Sequence, residues 1–317
     1  MDIEFFEILL QQVLNGLVLG SVYALVALGY TMVYGILQLI NFAHGDVLMI
    51  GAMVAVGTVS LLQGTGISGP VQLIIATLVA VPVCALVAVI MERVAYRPLR
   101  NAPRLAPLIT AIGLSIVIQA IAMILITVFV GNPKPISFPD LLPTTPLQFG
   151  GAFLAPKQLL VLCVSAITMV GLLILVNKTK LGRAMRATAE NPRIAGLMGV
   201  NANRVISATF AIGAALAAVA GVLWGLNYNK VEYTMGFIPG LKAFTAAVLG
   251  GIGNLQGAVV GGLLLGVIES LGAGYIGDIT GGFLGSHYID IFAFVVLIIV
   301  LIFRPSGIMG ERVADRA

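Results

Sequence analysis

The chain is a succession of long apolar runs cut by a few short polar, glycine-rich or proline-rich stretches. A helix needs about 20 mostly apolar residues to cross some 30 Å of hydrocarbon, and several runs here reach that length. They are continuously apolar rather than alternating. Backbone groups cannot go unpaired in lipid, so such runs predict spanning helices rather than barrel strands. Residues 8 to 62 hold one charged residue, Asp46, and are too long for a single helix. A break is predicted at Asn41 to Asp46 (NFAHGD), and Gln63 to Pro70 (QGTGISGP) reads as a turn. Further spans are predicted at about 71–91, 105–130, 158–176 and 205–229. Residues 131–156 carry six prolines and little hydrophobic period, and read as an extracytoplasmic loop.

The stretch from 230 to 304 is settled by parity. Arg204 and Arg304 belong on the same side, so an even number of crossings separates them. Spans at 205–229 and about 286–303 give two, and one helix over 243–268 would make three. The centre of that run is Leu249 to Gly257 (LGGIGNLQG), which breaks a helix. Two shorter membrane segments are therefore predicted, about 234–250 and 257–275. The fold class that follows is an all-α, polytopic membrane helical bundle. It has about eight or nine transmembrane segments, at least one broken helix, an outer N-terminus and a cytoplasmic C-terminus. Residues 1–317 read as a single transmembrane domain with a cytoplasmic loop at about 177–204.

Composition supports the bilayer as solvent: 59% of residues are hydrophobic and 9% charged, against roughly a quarter charged in soluble domains. The basic residues are clustered. Arg93, Arg97, Arg100 and Arg104 form one group, and Lys178, Lys180, Arg183, Arg186, Arg193 and Arg204 a second. Arg304, Arg312 and Arg316 form the third. These groups hold 13 of 17 basic residues and mark cytoplasmic segments. They are short, lack interleaved aromatics and lie between spans, so no nucleic-acid partner is predicted. Cys84 and Cys163 sit in apolar runs as packing residues. The acidic start, with Asp2, Glu4 and Glu7, is unlike a cleavable signal, and the first apolar segment is expected to stay.

The sequence has no Gly-Lys pair, so it cannot build a phosphate-cradling P-loop. Any ATP-driven work falls to a separate subunit. No metal-ligand spacing, nucleophile elbow or triad is present, and no cofactor is expected. The spans are nearly free of ionisable residues, with Asp46 and Glu269 the acidic candidates and Lys242 near a segment end. That scarcity disfavours an ion-coupled carrier, which needs such relays. Faint repetition links Gly16-x-x-x-Gly20-x-x-Tyr23 with Gly221-x-x-x-Gly225-x-x-Tyr228, and Gly257/Gly261 and Gly262/Gly266 share the spacing. Such spacings indicate close helix packing.

The 177–204 stretch (NKTKLGRAMRATAENPRIAGLMGVNANR) is the informative polar segment. From Met185 to Val200, apolar Met185, Ala189, Ile194, Leu197 and Met198 recur at helical spacing, and Asn191-Pro192 can start a short helix. A loop that only faces water has no use for an amphipathic face, so the segment reads as a docking element. Residues Asn191 to Gly199 resemble the cytoplasmic EAA-type loop of ABC-importer permeases. Ala195 and Gly199 fall on its last alanine and its glycine, while Arg193 and Ile194 replace its acidic residue and first alanine. The run from Gly16 to Ala52, with Tyr34-Gly35, Asn41-Phe42-Ala43-His44-Gly45 and Gly51-Ala52, resembles the signature of the branched-chain amino-acid permease family. AAVLGGIGNLQGAVVGGLLLG resembles the family's late glycine-rich segment, and Phe303 to Gly310 its common ending.

The three motifs occur in family order and the match spans the chain, on the LivH-type side of the LivH/LivM-type family. The resemblance implies a permease subunit in the bacterial inner membrane, importing leucine, isoleucine and valine. Its implied partners are a second permease subunit (a paralogue), two ATP-binding-cassette ATPases and a periplasmic solute-binding protein. Relatives take other amino acids, amides or urea. An ion-coupled secondary carrier and an intramembrane enzyme acting on lipid are the readings it competes with.

The candidate coupling residues are then Ala189, Glu190, Asn191, Arg193, Ala195 and Gly199. Ala195 would keep the helix face shallow, and Gly199 would let the chain turn away. Candidate path or helix-break residues are Asn41, His44, Asp46, Gly251, Gly253, Asn254 and Gln256. Capping competes with substrate contact for Asn41, His44 and Asp46, and stitching competes with lining for Asn254 and Gln256. His287 and Asp290 are expected to face water. Trp224 and Tyr228 read as an interfacial anchor.

Overall fold

The computed structural model describes residues 2–100, 102–103, 105–149, 151–281, 289–304 and 306–310. Arg104, His287, Pro305, Arg312 and Arg316 lie outside them. The helices are α1 Asp2–Leu37, α2 His44–Leu62, α3 Gly69–Met91, α4 Leu105–Val130, α5 Pro156–Lys178, α6 Lys180–Glu190, α7 Pro192–Leu197, α8 Ala202–Tyr228, α9 Phe237–Gly250, α10 Leu255–Ile279 and α11 Ile289–Phe303. A π-turn, Glu92–Tyr96, and a short 3-10 turn extend α3 to Leu99. Among the described residues seven helices are long and apolar enough to cross a membrane, and α9 and α11 are shorter apolar helices. These nine segments stand at the upper end of the eight or nine predicted.

The helices form a protein-packed centre and a lipid-facing rim. α1 and α8 are mostly enclosed by the rest of the chain, whereas α3, α4 and α5 leave most of their surface outward. α1 crosses α10 with almost no side chain between them. A Cβ on Gly16 would lie 2.6 Å from Val267 Cα, and one on Gly20 would lie 2.7 Å from the Gly262 carbonyl oxygen. Gly262 and Gly266 return the contact against Ala24 and Gly20. The two glycine spacings seen in the sequence therefore face each other, and the backbones approach closely because neither carries a Cβ there.

Alternate helix ends gather on two faces. The ends of α3 and α5, all of α6 and α7 and the start of α8 carry the basic residues, and this face is called the basic end. Here Glu92 is fully buried. It accepts from Arg97 at 3.1 Å, from Arg100, and from the Ser207 hydroxyl at 2.7 Å, while Arg100 also donates to Asn203 Oδ1 at 2.6 Å. Two arginines of the first basic cluster thus clamp α3 to the start of α8.

At the opposite end the proline-rich stretch folds into structure that the sequence did not predict. β1 (Ile136–Ser137) pairs antiparallel with β4 (Lys230–Val231), and β2 (Leu147–Phe149) with β3 (Ala152–Leu154). Phe138 is buried, and its amide donates to the Asn229 carbonyl at 3.1 Å. Asn229, left-handed at φ 53°, ends α8 and takes Lys157 Nζ on its Oδ1 at 2.9 Å. Strands of two or three residues are invisible to a hydrophobic period, and here tertiary packing creates them.

One further expectation changes. The pair of half-length segments becomes one short helix, α9, and one full-length helix, α10. The break between them lies at the basic end, beside the chain that leaves α11. Ile308 N–H donates to the Leu249 carbonyl and Met309 N–H to the Gly250 carbonyl, both at 2.9 Å. Arg204 and Arg304 are still separated by an even number of segments. The amphipathic segment read over Met185–Val200 holds the end of α6 and all of α7, and the short helix expected to start at Asn191-Pro192 is α7. Pro192 lacks an N–H and its ring would clash within a continuous helix. Asn191 instead turns extended, and its side chain accepts from the amides of Arg193 and Ile194.

Candidate functional site

α1 passes two cavities, one toward each end of the molecule. The cavity at the basic end, about 920 Å³, is lined by Thr31 and Tyr34 of α1, by Arg186 and Ala189 of α6, by Gly253 and Asn254 of the α9–α10 break, and by Gln256 in the first turn of α10. Four of the residues singled out in the sequence therefore share one space. The break itself is built as a turn: Gly251 and Gly253 have φ of 108° and 96°, which only glycine adopts freely. Asn254 donates from Nδ2 to the Met309 carbonyl at 2.9 Å and accepts the Gly257 amide on Oδ1 at 3.0 Å. Its side chain stitches the break while its position lines the cavity. Gly251 is packed against Gly310, and Gly253 stands in open space.

The second cavity, about 470 Å³, opens toward the opposite end and is lined by Tyr23, Gln119, Trp224, Tyr228, Lys242 and Glu269, with Glu232 and Asp290. Its floor carries an ion cluster. Lys242 Nζ lies 2.5 Å from Glu269 Oε1 and 2.6 Å from Asp290 Oδ1, and the Tyr23 hydroxyl donates to Glu269 Oε2 at 3.1 Å. The Lys242 and Glu269 side chains are 5% and 7% exposed, and that of Asp290 is 52% exposed. Four helices, α1, α9, α10 and α11, meet in these contacts. The wall is aromatic, with the Trp224 ring 4.6 Å from Tyr228 and 6.1 Å from Tyr23. Trp224 and Tyr228 thus line a cavity, where the sequence suggested a membrane anchor. Asp290, expected to face water, does so with half its surface and pairs with the other half.

Between the cavities lies a constriction of rings. Tyr30 packs edge-on against His44 at 4.9 Å and against Phe244 at 6.0 Å, and Phe42 meets Phe244 at 5.6 Å. Tyr23, Tyr30 and Tyr34 fall at spacings of seven and four, on one face of α1. That face therefore runs from one cavity, through the constriction, to the other. His44 is buried in a slot opened by Gly29, where any Cβ would collide with its ring.

The capping weighed for Asn41 and Asp46 is not what the structure contains, whereas buried His44 does satisfy a backbone group, that of Val26. Ala43 is the N-cap of α2 and no side chain caps it, because backbone bonds from His44 to Asn41 and from Asp46 to Ala43 already close the turn. Asn41 Oδ1 accepts from the buried Tyr96 hydroxyl at 2.6 Å. Asp46 accepts from Gln119 Nε2 at 2.9 Å and so ties peripheral α4 to the centre. Asp46 is not among the residues lining the cavity, but its partner Gln119 is.

At the basic end, α6 and α7 divide the apolar residues between two directions. Met185 and Ala195 are buried against the chain itself, while Ile194, Leu197 and Met198 are 58%, 83% and 81% exposed. Ala189, Glu190, Asn191 and Arg193 are exposed, and Gly199 has φ 84° with open space around it. The outward face is thus formed by three large apolar side chains, and Ala195 seats α7 rather than facing out.

The ion cluster was only half visible in sequence. Lys242 and Glu269 are the sole charged residues from 233 to 277, and two opposite charges in 45 apolar or neutral positions are a signal of pairing. Tyr23 and Asp290 carry no such signal, since only the packing of α1 and α11 brings them there.

Comparison with known proteins gives concordant results. The family described as branched-chain amino acid transport system / permease component matches residues 12–301. The high-affinity branched-chain amino acid transport system permease protein BraD of Pseudomonas aeruginosa is 47% identical, over 97% of each chain. The corresponding permease protein LivH of Escherichia coli K12 is 43% identical, over 99% of each chain. A probable branched-chain amino acid transport permease protein LivM of Methanocaldococcus jannaschii is 27% identical over 63% of this chain and 60% of its own. No solved structure matches.

Proposed function

The chain belongs to the branched-chain amino acid transport permease family, and from that membership we propose that it is the membrane-spanning permease subunit of an ATP-binding-cassette importer. Its cargo is leucine, isoleucine and valine, carried inward across the bacterial inner membrane. The observation that carries this reading is the near-full-length identity to BraD. ATP hydrolysis belongs to two separate ATPase subunits, and a periplasmic binding protein delivers the cargo. The similarity to a LivM-type protein supports a paralogue as the second permease subunit. The basic end faces the cytoplasm, and the C-terminus with it, in keeping with the charge distribution.

The whole chain acts as one permease domain. Its coupling surface is the 177–204 loop, where Ile194, Leu197 and Met198 enter a groove of the ATPase. Asn191 and Gly199 set the two ends of α7, Ala195 seats it, and Ala189, Glu190 and Arg193 frame the contact. The translocation path follows α1, from the aromatic cavity past Tyr30 and Phe244 to the cavity that holds Gly253, Asn254 and Gln256. His44 and Asn41 hold the constriction in place, and Asp46 fixes Gln119.

One observation favours a second reading. The buried Lys242–Glu269 pair is the kind of intramembrane charge that ion-coupled carriers use. Vesicles holding the purified complex separate the two. The importer reading predicts leucine uptake that needs ATP and binding protein and is indifferent to proton or sodium gradients. Leu197→Asp is expected to abolish uptake and ATPase association with normal membrane insertion. Gradient-driven uptake by the permease without ATPases would overturn it.

A further inference from the structure

We propose that the 470 Å³ cavity receives the cargo, and that Lys242, Glu269 and Asp290 recognise the zwitterionic head of a free α-amino acid. The inference rests on the permease reading and names the chemistry by which that permease reads its substrate.

The cluster has one cation for two carboxylates. Lys242 reaches both, at 2.5 and 2.6 Å, so one negative charge stays uncompensated. Glu232, the other charged residue described in the lining, is held by Lys230 at 2.9 Å. Such an arrangement is short of one ammonium. A zwitterion brings one together with a carboxylate, which leaves the net charge of the site as it was but gives Lys242 and Asp290 a new partner each. Asp290, whose side chain is half exposed, takes the α-ammonium. Lys242, released from Asp290 on its flexible four-carbon stem, takes the α-carboxylate and keeps Glu269. The charges then alternate from Glu269 through Lys242, the α-carboxylate and the α-ammonium to Asp290, and each negative group meets a positive one. An amine alone neutralises the cluster but offers Lys242 no carboxylate in exchange for Asp290, and an acid alone adds to the excess negative charge.

The rest of the cavity suits an apolar side chain. Trp224 and Tyr228 form one wall, and Phe237 and Ile238 are among the other lining residues. A volume of this size lies in the range of small-ligand pockets. A lock that only tied α9 to α10 and α11 would need no open space beside it. Because α1, α9, α10 and α11 all contribute, exchanging partners in the cluster loosens contacts between those helices when cargo arrives.

Trp224 is the chain's single tryptophan and lies in the cavity wall, so its emission reports occupancy. The complex is placed in lipid nanodiscs, and the emission that disappears in Trp224→Phe is followed during titration with L-leucine. A saturable change is expected. 4-Methylpentanoate, which lacks the ammonium, and 3-methylbutylamine, which lacks the carboxylate, should each need about tenfold higher concentration or more. Asp290→Asn should weaken the leucine response by a similar factor. The double variant Lys242→Met/Glu269→Gln, which leaves no uncompensated buried charge, should insert and lose the response.

No emission change with leucine, equal responses to the three ligands, or a wild-type response in either variant would overturn the assignment. Uptake by the same complex is measured in parallel. Failure of ATP-driven uptake counts against the importer reading, whereas normal uptake with a silent cavity counts against this site alone.

Discussion

Replacing Glu92 with alanine tests the clamp that joins α3 to α8 at the basic end. The carboxylate is fully buried and gathers three donors: Arg97, Arg100 and the Ser207 hydroxyl. Its removal strands each of them differently. The Arg97 side chain is 37% exposed, so water takes over most of its charge and it counts for little. The Arg100 side chain is 20% exposed and carries most of the loss. Truncating one partner of a buried pair costs about 3–5 kcal/mol, and partial exposure of Arg100 places this case near the lower end, at about 3 kcal/mol. Glu92→Gln keeps one acceptor oxygen and should lose roughly half as much. At about 2–4 °C per kcal/mol, Glu92→Ala should melt about 6–12 °C lower.

Cys84 provides the assay, since it is buried on the same helix, α3, and Cys163 is exposed. With Cys163→Ser as background, a thiol-reactive dye reads the unfolding of α3 in detergent as temperature rises. If Glu92→Ala exposes Cys84 at the temperature of the unchanged background, the buried cluster gives no net stability and the reasoning fails.

Gly20→Leu forces a side chain into the α1–α10 crossing, where the nearest backbone atoms are 2.7–2.8 Å from a Cβ; a loss of at least about 1–3 kcal/mol in the same melting assay is expected. Gly251→Leu and Gly253→Leu both strain a positive φ, by about 1–3 kcal/mol, but only Gly251 also strikes Gly310. Transport should therefore fail in Gly251→Leu and survive better in Gly253→Leu; equal behaviour would remove the packing argument. Cysteines placed near Arg100 and Lys180 should label from the cytoplasm, and one near Pro135 from outside. Labelling of 135 and 180 from one side would refute the span map.

The spans were legible because apolar runs of this length have few alternatives, and because proline, glycine and the charge clusters mark where they stop. The turn at Gly251–Asn254 was legible for the same reason, since three glycines within four positions leave a helix little to gain. The bend at Asn191 follows from the proline after it, and the sequence showed that a short helix could begin there. Which face of α7 looks outward was not legible. Helical spacing puts Ile194, Leu197 and Met198 near one another, but only docking against the chain turns Ala195 inward.

The site lay further from view. Lys242, Glu269 and Asp290 are separated by 27 and 21 residues, and no local rule pairs charges at such distances. Tyr23 reaches Glu269 across 246 residues because glycines let α1 and α10 approach to backbone contact. Trp224 looked like an interfacial ring for want of any sign that α1 would pass beside it. Sequence alone determined the solvent, the spans, their breaks and the polar loop, which depend on residues near one another. Only the tertiary structure decided which charges meet and where cavities form, because those depend on which helix faces are left without a neighbour.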